Sequence, residues 1–220
     1  MLRSRLTLLL CSLLLLSSSS VAQKGKKTPF TLRQVPDQWA ELRNVPEVVA
    51  EQPCENWAWA AGIETILRKE NVPLDQKFWI DKLNGGAVCL PSPGGLEDLS
   101  RAINGDYQLP DGRKFKLAAR TIAGAPTSTD SLIVPLAMKR PYILWWKQHA
   151  YIVRGALWNE YIYPNGQKQL EMKEISLIDP FESGDKRYVK FLTDKHDSKD
   201  IGGIFEVIVT PVEDVSQWTN

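Results

Sequence analysis

Histidine is almost missing from this chain, with only 2 in 220 residues, and cysteine is scarce at 3. Two histidines far apart, His149 and His196, and so few thiols give no ligand cluster of the kind a protein-bound zinc requires, so no metal is expected. No glycine-rich phosphate loop occurs, and no other cofactor is expected. Charge of one sign is also missing. Lys and Arg number 27 against 26 Asp and Glu, a net +1, which gives no argument for nucleic acid or an anionic membrane as partner. The longest apolar run, Leu6 to Leu16, is too short for an ordinary membrane span. No internal repeat and no low-complexity tract follow it.

The chain has the material for a substantial core, at 43% hydrophobic residues including 8 Trp. Arg3 and Arg5, the apolar run and the small-residue end Ser20-Val21-Ala22 form the pattern of a secretory signal peptide over residues 1–22, with Gln23 the first mature residue. Leu10 before Cys11 is not the small residue a lipoprotein signal needs. The expected location is therefore secreted or periplasmic, with no membrane contact once the leader is removed. Loss of Cys11 with the leader leaves Cys54 and Cys89, an even pair in an exported chain, and a structural disulfide between them is expected. A displaced-nucleophile role for Cys54 is the weaker reading, because Cys54 precedes the adjoining helix.

Residues 23–49 carry several Pro without a clean period and read as an extended N-terminal segment; the surface-wrapping stretch runs from Pro29 to Gln52. Helices are expected over 56–69, capped by Asn56, and over 75–83, with Phe78, Trp79 and Leu83 inward and Asn84-Gly85-Gly86 as the stop. A third helix is expected over 96–103 and a fourth over 129–139, capped by Ser128 or Asp130 and interrupted by Pro135. Strands follow: a hairpin around Pro110-Asp111-Gly112, runs over 141–146 and 150–157, a second hairpin around Asn165-Gly166 and a last strand over 204–212. Helices in the first half and strands in the second argue for an α+β class.

Three segments carry the chemistry. The first is Gln52-Pro53-Cys54-Glu55-Asn56-Trp57-Ala58-Trp59-Ala60-Ala61. The second is Gln148-His149-Ala150, which opens an apolar strand ending at Gly155. The third is Ile175-Ser176-Leu177-Ile178-Asp179-Pro180-Phe181. Together, in this order, they resemble the active-site segments of papain-like cysteine peptidases, most closely bacterial types with an Asn-Trp-Cys-Trp-Ala-Ala motif, such as staphopain-like and bacteriocin-processing enzymes. The resemblance spans roughly residues 50–182. In that family a Gln lies six residues before the catalytic Cys. Gln52 stands six before position 58, but position 58 is Ala. Gln148 departs from the small residue usual before the histidine, and the 30 residues between His149 and Asp179 exceed the usual spacing. A hairpin over Tyr161 to Leu170 would absorb that length. Otherwise the partner of His149 falls to Asp130, Glu160 or Asp185, in weaker contexts.

The resemblance implies a papain-like two-lobed fold over 50–220, with a helical lobe packed on a twisted antiparallel sheet and a peptide or protein substrate in the cleft of a monomer. It implies that Gln52 and the backbone N–H at 58 form the oxyanion hole, that His149 is the base, and that Asp179 orients it. Taken alone, each residue has a plainer reading: Gln52 in a loop, His149 at a strand end, His196 solvated in a loop. Transglutaminases, cell-wall amidases and arylamine acetyltransferases share Cys-His-Asp chemistry, but Gln52 and Trp59 favour the peptidase branch. An alanine methyl has no lone pair with which to attack. One reading is therefore an inactive, peptide- or partner-binding relative of these peptidases. A second is an active cysteine endopeptidase whose cysteine at 58 was exchanged for alanine. A third is a related acyl-transfer fold used as a scaffold. Slow hydrolysis through a water activated by His149 is a further, weaker expectation.

Overall fold

A computed structural model describes residues 31–86, 88–92 and 94–212. The expected leader, residues 1–22, and residues 23–30 lie outside them. Among the described residues no helix is long and apolar enough to cross a membrane.

The chain is α+β. In order, its elements are β1 (Arg33–Glu41), α1 (Ala58–Lys69), α2 (Gln76–Asn84), α3 (Leu96–Ile103), β2 (Gly105–Gln108), β3 (Lys114–Ala123) and α4 (Asp130–Ala137). They continue with β4 (Tyr142–Trp146), β5 (His149–Ile162), β6 (Lys168–Ile178), β7 (Tyr188–Leu192) and β8 (Ile201–Pro211). The strands form one eight-stranded sheet in the order β2-β3-β8-β4-β5-β6-β7, with β1 added alongside β5. Every pairing is antiparallel.

Period-2 alternation gives this sheet a core on each face. Along β4, Ile143 points to α1–α3, whereas Tyr142, Leu144 and Trp146 point to α4 and the 42–49 segment. Strand β8 alternates likewise, with Phe205 and Val207 on the helix side and Ile204 on the other. Helix α1 is buried at every position from Ala58 to Leu67. Its small residues serve close packing: a Cβ at Gly62 would sit 2.7 Å from Ile143 Cδ1. Glu64, buried in this helix, pairs with Arg68 and accepts the Gln76 N–H.

Four expectations change. Helix α1 starts at Ala58 with Trp57 at the cap position and no side-chain cap. Asn56 instead donates its amide to Cys89 O at 3.2 Å. Phe78 is 36% exposed while Trp79 is fully buried, because adjacent helical residues face different directions. Helix α4 likewise begins without a side-chain cap, at Asp130, and ends at Ala137. The segment read as extended along the surface is extended and largely exposed, but more ordered than that: it contributes β1, which pairs with β5 across a register shift between Val35 and Gln38. That irregularity takes up Pro36 and the positive φ of 54° at Asp37, features an interior strand would not tolerate. Strand β7 was also not read from the sequence. The expected stops and turns hold elsewhere. Asp75 caps α2 through the Phe78 N–H, and Gly85 ends it in the left-handed conformation at φ 72°.

Candidate active site

His149 is the first residue of β5. The two residues before it, Lys147 and Gln148, have φ of 50° and 64° and close the β4–β5 hairpin, with Trp146 paired to His149. Two consecutive positive φ values are the requirement of a type I′ turn, which normally recruits Asn or Gly. Here neither residue is suited to that conformation, so backbone strain is stored next to His149. The turn is tied down by the Lys147 N–H, which donates to Asp200 O at 3.0 Å, and by the Lys147 ammonium 5.1 Å over the Trp146 ring.

Strand β6 lies beside β5 with Ile178 opposite Ile152. Continuing that register sets Asp179 across from Tyr151 and diagonal to His149, within reach of long side chains. The 30-residue separation is therefore closed by the β5–β6 hairpin. His149 Nε2 and Asp179 Oδ1 are 2.8 Å apart. Oδ1 also accepts the Phe181 N–H at 2.9 Å, which fixes the carboxylate at the Pro180 turn. Burial works to raise the Asp179 pKa. The hydrogen bonds from His149 and Phe181 and the attraction of the imidazolium outweigh it, and the carboxyl lies below its ordinary value. His149 Nδ1 makes no hydrogen bond among the described residues. Tyr151 packs edge-on to the imidazole at 4.7 Å, and burial followed by the Asp179 charge raises its phenol pKa. Its i+2 spacing from His149 on a strand is a sequence signal that places it on the same face.

The competing carboxylates lie elsewhere. Asp130 begins α4, Glu160 pairs with Lys168 at 2.8 Å, and Asp185 sits in the short helical turn over Gly184–Arg187.

The Gln52 segment is joined to the same strand end, because the Gln52 N–H donates to Pro180 O at 2.9 Å. Its side chain is buried, and its amide donates to Cys54 O at 2.9 Å and to Glu55 O at 3.0 Å. Both amide N–H groups, expected to meet an oxyanion, are thus spent on the turn leading into α1. The other amide atom, Oε1, is buried without a partner among the described residues. Ala58, the first residue of α1, is 5% exposed and belongs to the same packed cluster as Ala150. Adjacent strand residues face opposite ways, and the rings next to His149, Tyr151 and across from it Trp146, pack with the cluster on the other face of the sheet. The disulfide Cys54–Cys89 forms, with Cα atoms 5.9 Å apart. It is flanked by the Trp57 indole donating to Val88 O at 3.0 Å and by the Asn56 bond to Cys89 O, so three links hold the approach to α1 against the 88–90 segment.

His196 lies in the loop after β7, as expected, but is half-buried: its ring lies 4.8 Å from that of Trp146 and 5.4 Å from that of Phe191.

Chemically, a carboxylate-held imidazole with one open ring nitrogen can take or give a proton. A helix N-terminus at position 58 favours negative charge. Ala58 carries only a methyl, which offers no nucleophile. No family model, curated protein or solved structure matches the chain.

Proposed function

We propose that the chain is a secreted protein descended from papain-like cysteine peptidases, and that it binds an extended peptide between its helical and sheet lobes without cleaving it. The hydrogen bond between His149 and Asp179 carries this reading. It recurs in the motif order of the peptidase triad, though at a longer spacing, next to the backbone bond from Gln52. Nε2 is held by Asp179, so Nδ1 is the nitrogen left to face a nucleophile, and Asp179 would support the positive charge as that nitrogen takes a proton. The N-terminus of α1 would lower the pKa of a thiol at 58. With Ala58 there, covalent attack is lost, while the base, its orienting carboxylate and the helix end remain.

The reading is tested by fluorescence anisotropy with labelled, unstructured casein-derived peptides. Saturable binding is expected, with no new amino termini after prolonged incubation, and Phe181→Asp at the exposed rim should weaken it several-fold. Peptides that neither bind nor are cut would refute the peptide-binding role. Cleavage by the Ala58 protein, insensitive to thiol-alkylating reagents, would replace it with water activation by His149.

A further inference from the structure

We propose that the groove between the β5–β6 hairpin and the start of α4 binds a neutral oligosaccharide. The groove encloses about 930 Å³, within the range of small-molecule sites. It lies at the opposite end of β5 from His149. Trp158 is nine positions along the strand, a span of at most roughly 30 Å.

Three observations select the ligand class. Aromatic surface is present, with Trp158 packed by one side on the core and lining the groove, and Tyr163 beside it. The rest of the wall is mainly uncharged hydrogen-bonding groups, including Thr127, Ser128, Gln167 and Gln169. The charges largely cancel: Lys168 is paired with Glu160 at 2.8 Å, leaving Asp130. A polyanion would meet more acid than base here, and an apolar ligand would strand the hydroxyls and amides.

An extended peptide would need open backbone along the strand edge. Within the groove that edge is partly occupied, since Leu170 O already accepts the Thr129 hydroxyl at 3.1 Å. Recognition is therefore left to side chains. An aromatic face packing on a pyranose ring, with amides and hydroxyls meeting the sugar hydroxyls, uses what the groove offers. The site does not depend on the peptidase reading.

The experiment titrates the full chain with maltohexaose, cellohexaose and chitohexaose, following tryptophan fluorescence and the indole N–H resonances. At least one sugar should give a saturable shift of the Trp158 indole at millimolar concentration or below. Trp158→Ala should weaken binding about tenfold. Because Trp158 also touches the core, Gln169→Ala at an exposed position is the second variant and should weaken binding several-fold with an unchanged melting temperature. Ala58→Cys should leave binding unaltered. Absence of saturation with all three sugars overturns the proposal. So does binding untouched by both groove variants, or competition by an unstructured peptide that Gln169→Ala abolishes.

Discussion

The helix side and the strand side of the candidate site differ in kind. On the strand side, the His–Asp pair is formed: His149 and Asp179 meet at 2.8 Å because β5 and β6 are hairpin neighbours in fixed register. On the helix side, there is a well-held frame but no reactive side chain. A disulfide and two side-chain bonds hold the approach to α1, the Gln52 amide is committed to two carbonyls, and position 58 is a buried methyl. Sheet register preserves a dyad as long as the sheet folds, whereas a nucleophile depends on one side chain that packing alone does not require. Alanine at 58 is buried in the packing of α1.

This contrast can be broken from either side. The largest stability effect should come from the helix side. The disulfide spans 35 residues of sequence, and the pair Cys54→Ser with Cys89→Ser should lower stability by about 4 kcal/mol in chemical denaturation. The His149–Asp179 distance should survive wherever the protein remains folded. A dyad that dissolves along with the disulfide, seen by loss of the His149–Asp179 coupling in NMR, would show that the two sides are one unit.

The next effect is on the strand side and depends on pH. The Asp179 carboxyl is held below the ordinary value of 3.8 in the folded state. Its contribution is therefore fully present above that value and is lost as pH falls through the lower, folded-state value. Asp179→Asn should cost about 1 kcal/mol near neutrality, and the difference from the parent should shrink below pH 3.8. Equal stability of the two proteins near neutral pH would mean that the hydrogen bond stabilises nothing.

The smallest effect concerns the turn. Gln148→Gly relieves a φ of 64° and should raise stability by up to about 1 kcal/mol, measured by thermal unfolding. Destabilisation would mean that side-chain contacts of Gln148, and not the backbone, set the turn.

Much of this was legible in the residues. Asp75 and Gly85 bound α2, Asn165-Gly166 marks the hairpin, and the even cysteine pair left outside the expected leader gives the bridge. Strand β1 was hidden because Pro36 and Asp37 interrupt its alternation at a bulge. His196 read as solvated from its charged neighbours, yet tertiary packing carries it under Trp146. The position of Gln52 was legible, but not the destination of its amide. Which carbonyl a side chain donates to is decided by the turn it folds into, and no spacing records that.

The central claim is the proposal that position 58 lacks a nucleophile while the His149–Asp179 pair and the N-terminus of α1 remain. The direct measurement is peptidase activity of the Ala58 protein and its Ala58→Cys variant under mild reducing conditions, with casein and fluorogenic peptides. The account predicts thiol-dependent cleavage by the cysteine variant, abolished by His149→Ala, and none by the parent. A folded cysteine variant that cleaves nothing would contradict it.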